Sequence, residues 1–284
     1  MLNGICTMKM STFHASAPVL RSFLTAGALL FAMGSSAQSL ETFDNKEVGL
    51  SLANYRYQET SNGSFFMSND GNKLGLHGAF TKTLAKHWFW GGDLKLSYGL
   101  VSYDSASDGR KIDNPDLLTE IRFTGGRDFS YDNYLLAPYF GLGHRVLFND
   151  LRGTTSSGAV GYRRLSQYTY LPLGLTFRQR MGPKARLSTS LEYDWLLEGR
   201  QQSFLSDVTV GSNDPINLQN YGQGLRFSMN YETLGWTAGF YANYWGLGDS
   251  NWSQQLINGN YSGWVREPRN TTQEIGLTFR LRFR

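Results

Sequence analysis

The chain ends with the sequence TTQEIGLTFRLRFR, residues 271–284. Every second position in it is apolar, and the positions between are polar or glycine: Ile275, Leu277, Phe279, Leu281 and Phe283 alternate with Glu274, Gly276, Thr278, Arg280 and Arg282. Successive side chains of a β-strand point to opposite faces. The alternation therefore predicts a terminal strand with one face against an apolar medium and a charged face against water.

The first 37 residues have the pattern of a secretory signal. Lys9 and Arg21 precede an apolar run at 23–33, and the small residues Ser35 and Ala37 follow it. This run is about half the roughly 20 residues that a membrane-spanning helix needs. We therefore expect a signal peptide at 1–37, cleaved after Ala37, and a mature domain at 38–284.

The composition of the mature part excludes several classes of protein. It keeps 25 basic and 23 acidic residues, and this balance argues against a nucleic-acid partner. The one cysteine, Cys6, lies in the predicted signal, so the mature chain is expected to have no disulfide; we predict no metal and no cofactor either. High glycine content and 14% aromatic residues without a long apolar run are typical of a transmembrane barrel.

Ten segments of alternating polarity are long enough to cross a membrane as tilted strands. They are 48–57, 73–84, 88–103, 117–129, 135–148, 168–180, 185–197, 221–232, 234–247 and 271–283. The pattern predicts an all-β fold, an antiparallel up-and-down transmembrane barrel of about ten strands, with eight as the alternative if one hairpin is misread. A soluble β-sandwich is the structural alternative.

Short and long connections alternate between these segments. The short ones lie near 85–87, 130–133, 182–183 and 232–233, and the long polar ones near 58–72, 104–115, 149–166, 198–220 and 248–270. In outer-membrane barrels the short turns face the periplasm. The pattern thus predicts two periplasmic termini and five long loops outside the cell.

Two prolines and one histidine disturb the pattern. Pro138 and Pro172 lie inside neighbouring strands, where each removes a ladder hydrogen bond, so we expect a bulge or a strand end there. His144 has the parity of the lipid-facing row, which indicates either an interfacial position or a register slip by one residue.

The signal segment, the alternation and the terminal strand together give the mature chain a resemblance to small bacterial outer-membrane β-barrel proteins, without a motif of any subfamily. The resemblance implies an integral protein of the outer membrane, with lipid and lipopolysaccharide around it. In this class the last strand usually ends on an aromatic residue, which the barrel-insertion machinery recognises. Here Phe283 is followed by Arg284.

Charged residues at positions of lumen parity form the main candidate site. They are Asp93, Lys95, Glu120, Arg122, Arg145, Arg178, Glu192, Asp194, Arg226, Glu232, Glu274, Arg280 and Arg282. A barrel of about ten strands has a narrow interior, and charges so close together should pair. We expect a salt-bridged plug, with a narrow ion pathway as the alternative.

Histidines test for an enzyme. Outer-membrane proteases of similar size resemble this chain and use an Asp–His couple at the outer mouth. Only His77 is predicted in the outer half with lumen parity, and Asp70, Asp104 or Asp108 would reach it only if the loops folded inward. We therefore expect no catalysis.

Aromatic residues offer two further candidates. The segment 161–173 mixes arginines with closely spaced tyrosines and favours an interfacial girdle over a sugar or phosphate contact at the mouth. Trp88 and Trp90 are predicted in the girdle at the inner rim. Trp252, Tyr261 and Trp264 of the last loop are candidates for binding an extracellular ligand, such as a sugar, or for packing on one another.

The favoured function is therefore a surface scaffold or adhesin-like binding protein. A small channel is the alternative, and a surface hydrolase the third hypothesis.

Overall fold

The computed structural model describes residues 39–283. The predicted signal at 1–37 and the residue Arg284, which follows the last strand, lie outside this range. The strands are β1 (Asn45–Ser61), β2 (Ser64–Thr83), β3 (Trp88–Ser105), β4 (Gly109–Arg127), β5 (Phe129–Ser130), β6 (Tyr134–Thr154), β7 (Val160–Arg180), β8 (Ala185–Ser203), β9 (Ile216–Gln219), β10 (Gly222–Thr233), β11 (Trp236–Leu247), β12 (Ser253–Ile257), β13 (Asn260–Val265) and β14 (Arg269–Phe283). Two single 3-10 turns, Ala85–His87 and Leu205–Asp207, accompany them. Between residues 39 and 283, no helix is both long enough and apolar enough to cross a membrane.

Ten of these strands form a closed barrel. Neighbours along the chain pair antiparallel in the order β1, β2, β3, β4, β6, β7, β8, β10, β11, β14. The terminal strand β14 then pairs with β1, with Leu50 opposite Phe279, and this pairing closes the sheet. The predicted all-β barrel and its number of ten strands are confirmed.

The two faces of the barrel follow the period-two pattern. On β14 the apolar row from Ile275 to Phe283 is 49–66% exposed on the outside, whereas Glu274 is buried inside. At the inner end, aromatic side chains cluster on the outer surface. Phe80 meets Trp90, and Trp236 stacks on Phe279. This is the girdle that interfacial aromatic residues form at headgroup level.

Three of the five predicted long loops are not loops. The strands β1 and β2 continue to a two-residue turn at Asn62 and Gly63, whose φ angles of 51° and 80° match a type I′ hairpin. Likewise β3–β4 and β6–β7 run on to short turns, so these hairpins extend well beyond the roughly 10 residues per strand that a membrane requires. Above the membrane both faces of a strand are wet, and the alternation that predicts strands therefore fades.

The two remaining outer connections are long. The fourth outer loop, 204–221, contains β9, and the fifth outer loop, 248–268, contains the hairpin β12–β13. Side chains join them: Asn217 Nδ2 donates to the Asn251 carbonyl over 2.9 Å, and Asn213 Nδ2 donates to the Gln254 carbonyl over 3.0 Å. They form one body over the barrel mouth.

The strand prolines lie at breaks in the ladder. Pro138 falls in the gap where β4 ceases to pair with β6 and β5 takes over, so the ladder is interrupted there although β6 itself continues through Pro138. Pro172 lies in an interruption of the β6–β7 ladder, two residues from a bulge between β7 and β8. His144 faces outward without a register slip, and its Nδ1 lies 3.0 Å from Thr169 Oγ1.

Candidate functional site

All thirteen charged residues of the predicted lumen network point into the barrel, because the period-two alternation of their strands holds through the membrane. Asp93 and Arg280 are the most exposed to the internal space, at 37% and 24% of their side chains. The remaining members are buried or nearly so: Lys95, Glu120, Arg122, Arg145, Arg178, Glu192, Asp194, Arg226, Glu232, Glu274 and Arg282.

Arg226 is the centre of the network. Its Nη1 and Nη2 donate to the two carboxylate oxygens of Glu120 over 2.8 and 2.5 Å, and its Nε donates to Asp194 over 2.5 Å. Arg122 binds Asp93 over 3.0 Å and Glu192 over 2.5 Å. Such forked, charge-assisted contacts satisfy ions that would otherwise be buried alone.

Tyrosines complete the network. Tyr170 donates to Glu120 over 2.8 Å, and Tyr139 donates to Glu192 over 2.7 Å. Tyr241 donates to Glu274 over 2.6 Å, and Lys95 pairs with the same carboxylate. All three tyrosines lie at inward positions. They are missing from the predicted network because that network was defined by charged residues only.

Arg145 differs from the other predicted members. Among residues 39–283 no carboxylate lies within ion-pair distance of its guanidinium. Its Cζ lies 6.0 Å from the ring of Trp245 instead. The sequence predicts the correct face for Arg145, but it does not reveal this aromatic partner.

The inner end of the barrel is covered by residues 39–44, here called the N-terminal strap. Thr42 donates through its backbone N to Asp128 over 2.5 Å, and Arg178 donates to the Thr42 hydroxyl over 2.9 Å. Arg186 donates to the carbonyls of Leu40 and Glu41 over 3.1 and 2.9 Å. The strap is thus held at the inner opening by charged side chains of the barrel wall.

Further ion pairs surround the strap. Glu232 accepts from Arg186 at 2.8 Å and from Arg282 at 3.2 Å. Arg282 also binds Glu47 at 2.8 Å, and Arg280 reaches the second oxygen of Glu47 at 3.1 Å.

Between the strap and the middle of the barrel lies the inner cavity, of about 360 Å³. Asp93, Lys95, Glu120 and Arg122 line it together with His77. It is the polar space that the network surrounds.

Two clusters of buried side chains, here together called the closing layer, occupy the barrel above this cavity. Its members are at most 4% exposed: Tyr55, Tyr57, Met67, Val101, Leu118, Leu147, Tyr168, Tyr170, Leu196, Trp245 and Leu247. Along β3 the inward side chains pass from Lys95 in the inner cavity, through Val101 in this layer, to Tyr103 above it. The layer therefore separates the inner cavity from the outer mouth.

The closing layer encloses a buried ion pair that the sequence analysis did not single out. Lys73 contacts Asp116, and Asn149 donates to the same carboxylate. The ammonium of Lys73 lies 3.5 Å from the centre of the Tyr55 ring. Asp116 shares the parity of Glu120 and Arg122. It lies one residue before the predicted segment 117–129, so a slightly longer segment would have included it among the lumen-facing charges.

Above the closing layer a second cavity, the outer pocket, occupies about 390 Å³ between the extended hairpins and the fourth and fifth outer loops. Phe66 and Tyr103 of the hairpins contribute to its walls. Trp252 and Trp264 of the fifth outer loop face them. This places two of the three predicted loop residues at one cavity.

The third, Tyr261, packs edge-on against Trp264 at 6.1 Å between ring centres. Arg266 lies over the ring of Trp252 at 4.8 Å. The loop aromatics therefore form a wall that is braced by contacts within the loop.

The floor of the outer pocket is a pair of glutamates that share one arginine. Arg164 Nη2 lies 2.5 Å from Glu59 Oε1 and also contacts Glu267 Oε1. Tyr57 has its hydroxyl 2.8 Å from the first and 3.0 Å from the second of these oxygens. A hydrogen bond of 2.8 Å from the Glu267 backbone N to Ser250 Oγ fixes Glu267 within its loop.

Burial raises the pKa of Glu267 to about 8; Glu59 adds to the rise, and Arg164 opposes it. Near neutral pH the loop carboxyl is therefore protonated, and Arg164 neutralises the remaining charge.

The residues of the predicted hydrolase do not assemble. His77 lies in the inner half, where its Nε2 is 2.7 Å from Ser51 Oγ, so its predicted place in the outer half is wrong. The three acids have other partners: Asp70 pairs with Arg56, Asp104 lies nearest Arg110, and Asp108 accepts from Tyr103.

The girdle prediction for 161–173 is wrong for its tyrosines. Tyr168 and Tyr170 are buried inside the barrel, and Tyr162 lines the outer pocket. Arg163 is the outward arginine, and it binds Asp207 of the fourth outer loop at 2.7 Å instead of facing free headgroups. The spacing of Tyr168 and Tyr170 follows lumen parity, and the Tyr170 hydroxyl donates to Glu120 in the interior.

Comparisons with known proteins find similarity in structure alone. No protein-family model and no curated protein sequence matches the chain. The structure is similar to the outer membrane protease OmpT from Escherichia coli, with 13% identity, a TM-score of 0.60, and coverage of 88% of this chain and 100% of that one. Lower scores relate it to the β-domain of the Bordetella autotransporter BrkA, with 11% identity, a TM-score of 0.42 and coverage of 85% and 100%.

A further similar structure is Ail, the attachment invasion locus protein of Yersinia pestis, in complex with the heparin analogue sucrose octasulfate. It has 12% identity, a TM-score of 0.33, and coverage of 85% of this chain and 100% of that one. The likeness to OmpT, at a TM-score of 0.60 and 13% identity, shows the fold alone: this chain has the fold of integral outer-membrane β-barrels of Gram-negative bacteria.

Proposed function

We propose that this protein is a closed outer-membrane barrel that works without catalysis as an adhesin-like binding protein, with the outer pocket as its binding site. The closing layer carries the proposal. Its tightly buried rings and aliphatic side chains lie between the inner cavity and the outer pocket. An ion that crossed this layer would lose its hydration, and the charged groups enclosed there, Lys73 and Asp116, already pair with each other, so the loss would be costly.

The outer pocket has the features of a binding site. It is concave, it has aromatic walls and a few convergent polar groups, and rigid hairpins support it. Its position at the outer mouth would expose it to molecules outside the cell. The loop residues Trp252 and Trp264 would contact the ligand, while Tyr261 would support Trp264.

A small channel is the second candidate, and the inner cavity favours it. That cavity is lined by charges of both signs and lies next to the periplasmic opening. Conduction would require both the strap and the closing layer to move aside. The buried contacts of Trp245 with Tyr168 and Tyr170, at 6.1 and 4.9 Å between ring centres, oppose such a movement.

The membrane environment supplies the other partners. Lipid and lipopolysaccharide would cover the apolar outer face. We also expect the barrel-insertion machinery to recognise β14.

The proposed function is tested by binding. The mature protein is reconstituted in phosphatidylcholine nanodiscs and applied to an array of glycans, peptides and small organic ions. We expect ligands whose binding is lost in Trp264→Ala and kept in Trp88→Ala, a tryptophan of the inner girdle with similar exposure. Binding that is insensitive to Trp252→Ala and Trp264→Ala would contradict the outer pocket as the site.

A further inference from the structure

The side chains of the outer pocket narrow the chemistry of its ligand. Its amide groups are already occupied. Asn114 donates to the carbonyls of Val101 and Lys111 over 3.0 and 2.9 Å. Asn217 donates to three acceptors of the fifth outer loop, among them the Val265 carbonyl. Few groups are left to recognise the hydroxyls of a sugar, which needs many directed hydrogen bonds.

The floor of the outer pocket has two carboxyl groups and one permanent cation. Glu59 and Glu267 share the single guanidinium of Arg164, and both acids line the pocket. Their side chains are only 2% and 6% exposed, so both carboxyl groups are buried at the floor. Two buried carboxylates with one cation are one positive charge short, and an unpaired buried charge is unfavourable.

The remaining charged groups of the pocket lie higher on its walls and have their own contacts. Asp108 accepts from the Tyr103 hydroxyl at 3.2 Å, and Lys111 contacts Asn114. Arg266 stacks on Trp252. This last contact also demonstrates that the aromatic wall accepts a cation on its face, as cation–π attraction predicts.

We propose that the outer pocket binds an organic cation, a ligand with an ammonium group and an apolar body. The ammonium would lie on the Glu59–Glu267 pair, and the body would lie against the walls formed by Trp264 and Phe66. The inference rests on the proposed function, because it takes the outer pocket as the binding site. It adds the class of ligand and the residues that select it.

A linkage to protons follows from the same geometry. In the free protein near neutral pH, the missing positive charge is supplied by a proton on Glu267. The ammonium would displace that proton, so binding at pH 7 would release about one proton, and binding at pH 9 would release few. Since burial raises the pKa of Glu267, this carboxyl loses its proton more readily at pH 9 than at pH 7, and the affinity for the ammonium would rise over the same range.

The test uses two probes of the same shape, 2-phenylethylamine, which stays largely protonated over this range, and the neutral 2-phenylethanol. Each is titrated by calorimetry into the mature protein in phosphatidylcholine nanodiscs, with empty nanodiscs as the blank. Buffers of different ionisation enthalpy count the released protons. We expect the amine to bind at least about tenfold more tightly than the alcohol, and its affinity to follow the predicted pH dependence.

Variants assign the preference to the floor. Glu59→Gln leaves Arg164 and Glu267 as a neutral pair, and we expect it to remove both the amine preference and the proton release. Glu267→Gln is the second variant, for the case that the first does not fold, with folding checked by the shift in gel mobility on boiling. Asp150→Asn is the matched control, because this acid pairs with Arg152 on the exposed outside of the barrel.

Each other outcome overturns the cation inference. Equal binding of amine and alcohol, or an amine preference that survives both glutamate variants, would contradict the role of the acid pair. Absence of binding by both probes at millimolar concentration would contradict it as well. None of these results removes the proposed function, which fails only if no ligand depends on Trp252 or Trp264.

Discussion

Tyr170 lies flat against Gly143, its partner across the β6–β7 ladder. A Cβ atom at Gly143 would come within 2.2 Å of Tyr170 Cζ. Four residues away on each strand the relation is repeated with the strands exchanged, because Tyr139 lies against Gly174 with the same 2.2 Å approach. The absence of side chains at the two glycines lets both tyrosines lie across the interior and reach their glutamates.

The Tyr170–Gly143 contact predicts that the stability of the protein is sensitive to any side chain at residue 143. Gly143→Ala would push the ring away from Glu120, and overpacking of this kind costs about 1–3 kcal/mol of unfolding free energy. The measurement is urea unfolding of the refolded protein in detergent. Gly78→Ala is the control, because a Cβ at that strand position meets nothing within 4 Å. Equal stability of the two variants would contradict the role of the contact.

Within the charge network, we expect substitution of Arg226 to cause the largest loss of unfolding free energy. Arg226→Met would leave Glu120 and Asp194 buried without their cation, and breaking a buried pair in this way costs about 3–5 kcal/mol. The unfolding midpoint in urea would fall accordingly. Arg152→Met removes an exposed arginine that pairs with Asp150, and little change is expected there. Two variants of similar stability would show that the network does not hold the barrel together.

Glu267 predicts a pH-dependent fifth outer loop. Its pKa rises from 4.5 to about 8 on folding, so the folded state holds a proton that the unfolded state loses. The resulting stabilisation is complete below about pH 4.5 and is lost as the pH rises through 8. Hydrogen exchange of residues 248–268 should therefore accelerate between pH 7 and pH 9, after correction for the intrinsic rate. Glu267→Gln should abolish this acceleration, and an unchanged acceleration in that variant would assign it to another group.

The N-terminal strap predicts a protected position beside an exposed one. Leu40 is buried against Leu135 and Ala137, whereas Ser39 is exposed. In a cysteine-free mature protein, Leu40→Cys should react with a maleimide several-fold more slowly than Ser39→Cys. Asp128→Ala removes the acceptor for Thr42 and should bring the two rates together. Equal rates without that change would mean that the strap is not held at the inner opening.

The lumen-facing and lipid-facing residues could be predicted because a strand has a period of two residues. One assignment of parity per strand therefore decides the face of every side chain, and it placed Glu274 inside and Leu277 outside. Arg186 also has lumen parity and is buried in the interior, although the predicted network does not include it. Parity predicts the face of a side chain only where one face of the strand meets the membrane and the other meets a polar interior.

Where both faces are wet, this signal disappears, and the pattern therefore predicts loops at the positions of the extended hairpins. Their turns still carry a local signal, since Asn62-Gly63 and Asn258-Gly259 both adopt positive φ angles in two-residue hairpins. The floor of the outer pocket has no local signal at all. Arg164 meets Glu267 from 103 positions away, through a loop whose path no periodicity describes.

The central claim is that the closing layer seals the barrel, and single-channel conductance in a planar bilayer tests it most directly. We predict that the refolded wild-type protein is silent, and that Trp245→Ala combined with Tyr170→Ala produces steady conducting steps. Trp195→Ala, which removes a lipid-facing tryptophan, should stay silent. Steady steps from the wild-type protein that change when Glu120 or Arg122 is neutralised would contradict the claim and identify a channel.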